Sequence, residues 1–394
     1  MIKLDTRLCT GCGACAQVCP EKCIEMSPDR DGFVYPRVFS EKCVSCGKCE
    51  RVCPIEAKKA APYKPVALAA VNRDEGELLS CTSGGVFGEL AKYVLGKKGA
   101  VYGCAFCEKL KARHIRITRL EEIGALKGSK YVQSDTADTY NEVKADLNNG
   151  LTVLYSGTPC QIDGLKRFLG KPYEGLITID LICHGVPSQA YFDKFISGLE
   201  KRERSRITEL SFRSKKERGG FLAGTYGGTY TESGKHFEKP FYYFEHYYYY
   251  YFLTCASYRE SCYSCKYADL SRTGDFTLGD LWGAEGFGLN FAVDKGCSLV
   301  LLNSERAKEI FAELNLDSRE IPLNDAVKYN AQLREPSVRP ALRDETLKQY
   351  ETMSADEIQQ IFKRKNRKRL LAARIKYCVP MPVKNVIQKI RYKN

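Results

Sequence analysis

The sequence predicts an α+β chain of two unlike parts: a small cysteine-bound unit, then a larger mixed α/β body. Three observations predict this. Eight of the nineteen cysteines fall in two short runs between Cys9 and Cys53. From about Pro65 short β-branched runs alternate with amphipathic stretches. With 394 residues and 44% hydrophobic content, the chain has room for two or three domains and a substantial core.

The N-terminal runs are "CTGCGACAQVCP" from Cys9 and "CVSCGKCERVCP" from Cys43, two copies of C-x2-C-x2-C-x3-C-P in register. This is the bacterial two-cluster ferredoxin pattern, in which the fourth cysteine of each run serves the other cluster. One [4Fe-4S] cluster is then expected on Cys9, Cys12, Cys15 and Cys53, and a second on Cys43, Cys46, Cys49 and Cys19. Gly11, Gly13, Ala14, Ser45 and Gly47 let the backbone wrap closely, so that its N–H groups can bond cluster sulfurs. A pair of zinc knuckles would need only two cysteine pairs per site and no Cys-Pro terminus. Cys23 stands outside both runs and reads as a buried structural thiol. So small a unit cannot fold on core burial alone, which makes its clusters its staples. "EAKKAAPYKP" reads as a linker, placing the unit at residues 1–60.

The start "MIKLDTRLCT" lacks an apolar signal region and no stretch approaches a membrane span, so a reduced, cytoplasmic setting is expected and clustered thiols read as ligands rather than disulfides.

In the body, strands are expected at 66–71, 99–106, 114–118, 151–157, 176–183, 276–282 and 297–302. Helices are expected at Gly85–Leu95, Thr136–Leu147, Cys160–Leu169, Ser188–Lys201 and Glu305–Leu314. Three glycine-containing turns stand where a strand hands over to a helix: "CTSGGVFGEL", "SGTPCQIDGL" and "CHGVPSQAYF". Such turns aim backbone N–H groups and a helix N-terminus at a ligand, although glycine at a turn often means only a positive φ. Further on, "ESCYSCKYADLSRTGDFTLGDLWG" holds Cys262 and Cys265, a two-thiolate half-site that needs two more ligands.

In this order, "CTSGGVF", "LKGSKYVQSD", "VLYSGTPCQIDGLKRFL", "DLICHGVPS", "SFRSK" and the Cys262–Cys265 segment resemble the beta subunit family of coenzyme F420-reducing hydrogenases and dehydrogenases, over about residues 65–305. The resemblance implies a body in two parts, 65–150 and 151–345, that binds a flavin, FAD or FMN, beside a further [4Fe-4S] cluster. On that basis Cys160 and Cys183 would complete the set begun by Cys262 and Cys265, with some other group as the alternative to Cys183. Flavin contacts would come from Ser83, Gly84, Gly85, Gly128, Ser129, Lys130, Ser156, Gly157 and Thr158. Lys130 would meet a phosphate or the reduced ring's charge, and His184 would contact the flavin or move a proton.

Cys81, Cys104 and Cys107 lie outside what the resemblance requires, and "YGCAFC" reads as structural because its two thiols would point to opposite faces of a strand. "FYYFEHYYYYYF" reads as a tyrosine-rich helix wedged into the body rather than a base-stacking groove, since no Lys or Arg surrounds it.

The net charge is +13, but twelve Lys and Arg and no acid lie between Ile358 and Asn394, leaving about +1 on the rest. No nucleic-acid surface is expected of the body. The segment 346–394 reads as a basic helical tail, with Leu370, Leu371, Ile375, Val379, Val383, Val386, Ile387 and Ile390 at helical spacing, suited to peripheral contact with an anionic membrane at its inner face. The expected activity is electron exchange between a ferredoxin-like donor or acceptor and a small-molecule substrate, coenzyme F420-like or other, in a setting such as surface-polysaccharide metabolism. The alternative is an electron-transfer subunit serving a separate catalytic partner.

Overall fold

Local sequence chemistry sets the strands, and burial then sorts them into three sheets. The computed structural model describes residues 5–55, 63–215, 223–230 and 233–378. In the N-terminal unit, β1 (Ile24–Pro28) and β2 (Val34–Val38) pair antiparallel. The body begins with β3 (Val66–Asn72), β4 (Ala100–Phe106), β5 (Ala112–Ile117), β6 (Val153–Gly157) and β7 (Leu176–Leu181). Then come β8 (Ser205–Ser211), β9 (Ala223–Tyr230) and β10 (His236–Tyr242), followed by β11 (Phe276–Asp280), β12 (Ser298–Leu302) and β13 (Leu316–Glu320).

The main sheet has eight strands in the order β13-β3-β12-β11-β7-β6-β4-β5. Its centre, β11-β7-β6-β4, is parallel, while β5, β12, β3 and β13 join antiparallel. All seven expected strands lie in it. β13 reads "LDSRE" and escapes a hydrophobic pattern because it is an edge strand with one buried residue, Leu316. The antiparallel sheet β10-β9-β8 also escapes, because "AGTYGGTY" has glycine where strands usually carry β-branched residues.

Helix Val86–Gly96 and helix Glu305–Ala312 cover one face of the main sheet, with Leu90, Val94, Ile310 and Phe311 packed on Leu154, Ile177 and Val300. Helices Thr139–Asn148 and Pro159–Leu169 cover the other, with Tyr140, Val143, Ile162 and Leu165 on Tyr102, Val153 and Tyr155. Cys12, Ala14 and Val52 of the N-terminal unit belong to this second core, so the unit is docked on the body rather than tethered to it. A side chain at Gly164 would put Cβ 3.0 Å from Cys12 Sγ.

The tyrosine-rich segment forms helix Tyr247–Leu253, with Tyr247, Tyr248, Tyr249 and Tyr251 buried against Tyr191, Phe192, Phe195 and Phe212. Ile358 and Phe362, from helix Ala355–Lys365, complete this core, so the first part of the segment expected as a tail is built into the body. Helix Arg367–Cys378 follows; Arg374 pairs with Glu245 and Arg369 lies over the Tyr250 ring. Val379, Val383, Val386, Ile387 and Ile390 lie outside the described residues. Among the described residues no helix is long and apolar enough to cross a membrane.

Candidate metal centres and functional site

The two N-terminal cysteine runs fold so that their fourth members cross. One hollow, about 330 Å³ and partly open to solvent, is lined by Cys9, Cys12, Cys15 and Cys53. A second, about 380 Å³, is lined by Cys19, Cys43, Cys46 and Cys49, with Cys23 also in its wall. These are the two sets expected from the spacing. Gly13 and Gly47 take left-handed conformations, φ 80° and 69°, to start the short helices Ala14–Gln17 and Lys48–Arg51 that carry the third thiol of each run, Cys15 and Cys49. Burial pushes the Cys12 and Cys15 thiols up, Cys15 to about 12, and neighbouring thiols add to it. Such a ring of thiols resists ionisation until bound iron supplies compensating charge, as a cluster site requires. Among the described residues no three His, Cys, Asp or Glu side chains converge as ligands of one metal ion do.

A further thiol set lies at the carboxyl ends of the parallel strands, the usual place for ligands in such sheets. Cys160 follows β6 in the first turn of helix Pro159–Leu169, Cys183 follows β7, and Cys262 and Cys265 come from the short turn Glu260–Ser264 and its end. The four lie within electrostatic reach of one another: burial, followed by the neighbouring Cys262, Cys160 and Cys265, holds the Cys183 thiol well above the usual range. Thr158 Oγ1 is 3.1 Å from Cys160 Sγ, and the helix N-terminus favours negative charge there. The "SRTGD" segment fixes the geometry. Arg272 pairs with Asp180 of β7 at 2.8 Å, both side chains being almost fully buried, and Arg272 also donates to Leu181 O, 2.9 Å. The backbone N–H groups of Thr273 and Gly274 donate to Asp180 Oδ2, each at 2.8 Å. Burial alone would push the Asp180 carboxyl up, but Arg272 and these donors hold it below the ordinary value. The loop after Cys265 is thereby clamped to the strand that leads to Cys183.

The three thiol sets stand in sequence. Cys49 of the second N-terminal set interacts with Cys15 of the first, and Cys9 and Cys12 of the first interact with Cys160 of the body set. Cys46 is exposed, so the row reaches solvent at its outer end. Between the first set and the body set, Thr136 Oγ1 and Tyr140 Oη donate to Cys12 O at 3.2 and 3.0 Å, and Ser261 Oγ donates to Cys9 O at 3.1 Å.

Two of the expected flavin-binding loops also adjoin. Ser129 Oγ lies 3.4 Å from Thr82 Oγ1, joining the "KGSK" and "CTSGG" loops. Ser83 and Gly84 face the sheet: Ser83 Oγ donates to Cys297 O at 3.0 Å, and Gly84 N donates to Ser298 Oγ at 2.9 Å. A Cβ on Gly84 would lie 2.1 Å from Ala70 O, which explains glycine there. Gly85, φ 88°, caps helix Val86–Gly96, and Gly128 has φ 84° with open space where a Cβ would be. Ser156 O is 2.9 Å from His114 Nε2, Gly157 ends β6, and Thr158 caps the next helix with Gln161. Lys130 Nζ donates to Ala125 O and Lys127 O, and burial pushes its ammonium down to about 8. His184 is exposed, and its carbonyl accepts from Ser337 Oγ at 2.5 Å. Lys130 and His184 belong to different loops; Tyr131, next to Lys130, interacts with Ser129, Arg213 and Asp280, and the Asp280 charge acts on His184.

Sequence reasoning passed over Arg213, Lys215 and Arg259. Arg213 makes a two-pronged pair with Asp280 at 2.6 and 3.2 Å. Lys215 donates to Ser83 O at 2.6 Å and lies 3.5 Å from Cys81 Sγ. The only sequence signal for these two is the "SFRSK" segment, and nothing in it tells a buried cation from a surface one.

Residues 150–326 match the family model for the C terminus of the coenzyme F420 hydrogenase/dehydrogenase beta subunit, and residues 8–57 match the 4Fe-4S dicluster domain. The body set of four cysteines and the Arg272–Asp180 clamp lie within this beta-subunit segment, behind an iron-sulfur dicluster domain. A chain of the F420-reducing [NiFe] hydrogenase complex from Methanosarcina barkeri, solved after xenon derivatization, is similar over 80% of this chain and 95% of that chain, at 16% identity and a TM-score of 0.42. No curated protein matches. The chain is an iron-sulfur electron-transfer protein related to the F420 hydrogenase beta subunit.

Proposed function

We propose that the protein is an iron-sulfur flavoprotein oxidoreductase that moves electrons between a ferredoxin-like partner and a small-molecule substrate. The observation that carries this reading is the row of three thiol sets running from exposed Cys46 to the carboxyl ends of β6 and β7, where the glycine turns adjoin. Two [4Fe-4S] clusters belong to the dicluster domain, and the fit of Cys160, Cys183, Cys262 and Cys265 supports a third. A bound flavin supplies the means to exchange single electrons with clusters and pairs with an organic molecule. Gly85, Gly128, Ser129, Ser156, Gly157 and Thr158 would orient it, Ser83 and Gly84 would hold their loop to the sheet, and Lys130, Arg213 and Lys215 would offset negative charge. His184, exposed beside Cys183, would hold or deliver a proton. Leu181 and Trp282, exposed at the same strand ends, offer an apolar approach for substrate.

The domains in this reading are 1–60, 65–150 and 151–345, with the basic segment 346–394 at the end; the setting is cytoplasmic. The second reading, an electron-transfer subunit serving a catalytic partner, draws on the relationship to a hydrogenase subunit. Anaerobically purified protein should hold about twelve iron atoms and one flavin per chain, and the reconstituted protein alone should reduce a small acceptor from reduced ferredoxin. Full iron without flavin favours the relay reading, and eight iron atoms that are all retained in Cys262→Ala/Cys265→Ala remove the third cluster.

A further inference from the structure

Among the described residues Arg259 is one of the largest fully buried side chains, yet no carboxylate there pairs with it. Its donors go to uncharged oxygens: Nε to Gln133 Oε1 at 3.2 Å, Nη1 to Cys9 O at 3.1 Å, and Nη2 to Val34 O. Its faces rest on Tyr35 and Phe33, with centroids 4.3 and 5.3 Å away. The other buried arginines each have an acid: Arg272 has Asp180, Arg213 has Asp280 and Arg343 has Glu260. A buried cation without a counter-charge is costly, so a counter-charge of another kind is required.

The surroundings supply one. Arg259 lies three residues before Cys262, whose N–H donates to the Arg259 carbonyl at 3.0 Å; the Arg259 N–H donates to Val186 O, three residues beyond Cys183, at 3.0 Å, and its guanidinium binds the carbonyl of Cys9. It therefore stands between two ligand sets and faces both. Gly11, inside the first set, carries no Cβ because one there would lie 2.5 Å from Arg259 Nη2, with φ already at 67°.

We propose that Arg259 is the shared counter-cation of two clusters, the one held by Cys9, Cys12, Cys15 and Cys53 and the one held by Cys160, Cys183, Cys262 and Cys265, and that it raises the reduction potential of both. The inference rests on the three-cluster reading above. Reduction adds one electron to a cluster, from the ferredoxin-like donor, with no bond made or broken. The added negative charge is stabilised by a fixed cation in a dry site, and net local charge is one of the determinants of cluster potential. The second N-terminal cluster lies beyond the first and meets solvent at Cys46, so it escapes this influence.

The test is an anaerobic redox titration of the holoprotein followed by electron paramagnetic resonance. Signals are assigned by their loss in Cys46→Ser, for the outer cluster, and in Cys262→Ala/Cys265→Ala, for the body cluster. Arg259→Gln, with its iron retained, should move two midpoints to more negative values and leave the outer one in place. Arg259→Lys, which keeps the charge, should hold both near wild type. Three unmoved midpoints in a fully loaded Arg259→Gln protein overturn the proposal. If Arg259→Gln does not load, Arg259→Lys decides: wild-type midpoints support it, while shifted midpoints or failure to load overturn it in favour of a purely geometric role for the fork. A wild type with only two clusters overturns the three-cluster reading instead, a result visible before any Arg259 variant is made.

Discussion

At the scale of single residues, burial decides which titratable groups matter. His246 is buried among Phe195, Phe241 and Tyr226, and its Nδ1 has no hydrogen-bond partner among the described residues. Burial holds its pKa down to about 3, with Arg202 and Lys363 adding to the effect and Glu203 opposing it. Burial likewise holds His114 down to about 4. Both groups are neutral when folded and take up a proton on unfolding below their unfolded value of 6.5. Their stabilising effect is thus full above 6.5 and is lost as pH falls toward the folded values, each at up to about 1.4 kcal/mol per pH unit. His246→Phe suits the aromatic site and removes one such proton. Its urea midpoint should therefore fall less than that of wild type between about pH 6.5 and about pH 5. Parallel curves for the two proteins would show that His246 carries no acid sensitivity.

At the scale of elements, two segments have opposite sources of stability. Helix Tyr247–Leu253 is held by ring packing: Tyr248 is fully buried, stacks on Phe195 and donates to Tyr131 O at 2.7 Å. Tyr248→Phe should cost about 1 kcal/mol, the net value of one hydrogen bond. Tyr248→Ala should cost about 3–5 kcal/mol, as other buried aromatic truncations do. Chemical denaturation separates them, and equal costs would mean that the hydroxyl rather than the ring secures the helix. The N-terminal unit is the reverse case. Its own core is little more than Cys15, Cys23 and Ile24, so iron is expected to supply most of its folding energy. Oxidative loss of the clusters should abolish hydrogen-exchange protection in β1 and β2 while that of β6 and β7 persists. Retained protection in β1 and β2 would show that docking through Cys12 and Val52 suffices.

At the scale of the whole molecule, charge is segregated at the C-terminal end, but part of that end is structural. Deleting residues 358–394 would remove Ile358 and Phe362 from the core, so residues 379–394 are the cleaner deletion. That stretch carries Lys384, Lys389, Arg391 and Lys393, each contributing about 1 kcal/mol at an anionic surface before screening. Full-length protein should sediment with anionic vesicles at low salt, and the 379–394 deletion should not. A full-length protein that stays in the supernatant would leave these cations with no membrane role.

The sequence by itself determined what depends on spacing and local pattern. The repeated cysteine runs pointed to both N-terminal thiol sets, crossed fourth member included, because three thiols of each set share one short loop and the repeated pattern pairs each run with the last thiol of the other. Alternating apolar runs marked the seven strands of the main sheet for the same reason: side-chain period follows directly from backbone geometry. Cys262 and Cys265 could be read as half a site, but bringing Cys160 and Cys183 to them depends on β6 and β7 lying side by side and on the Asp180–Arg272 clamp. The docking of the N-terminal unit and the burial of Arg259 are decided only in three dimensions. A guanidinium looks the same in sequence whether it meets water or a ring of thiols. Its chemistry is set by what the fold removes from around it, and that is a property of packing between segments some 250 residues apart.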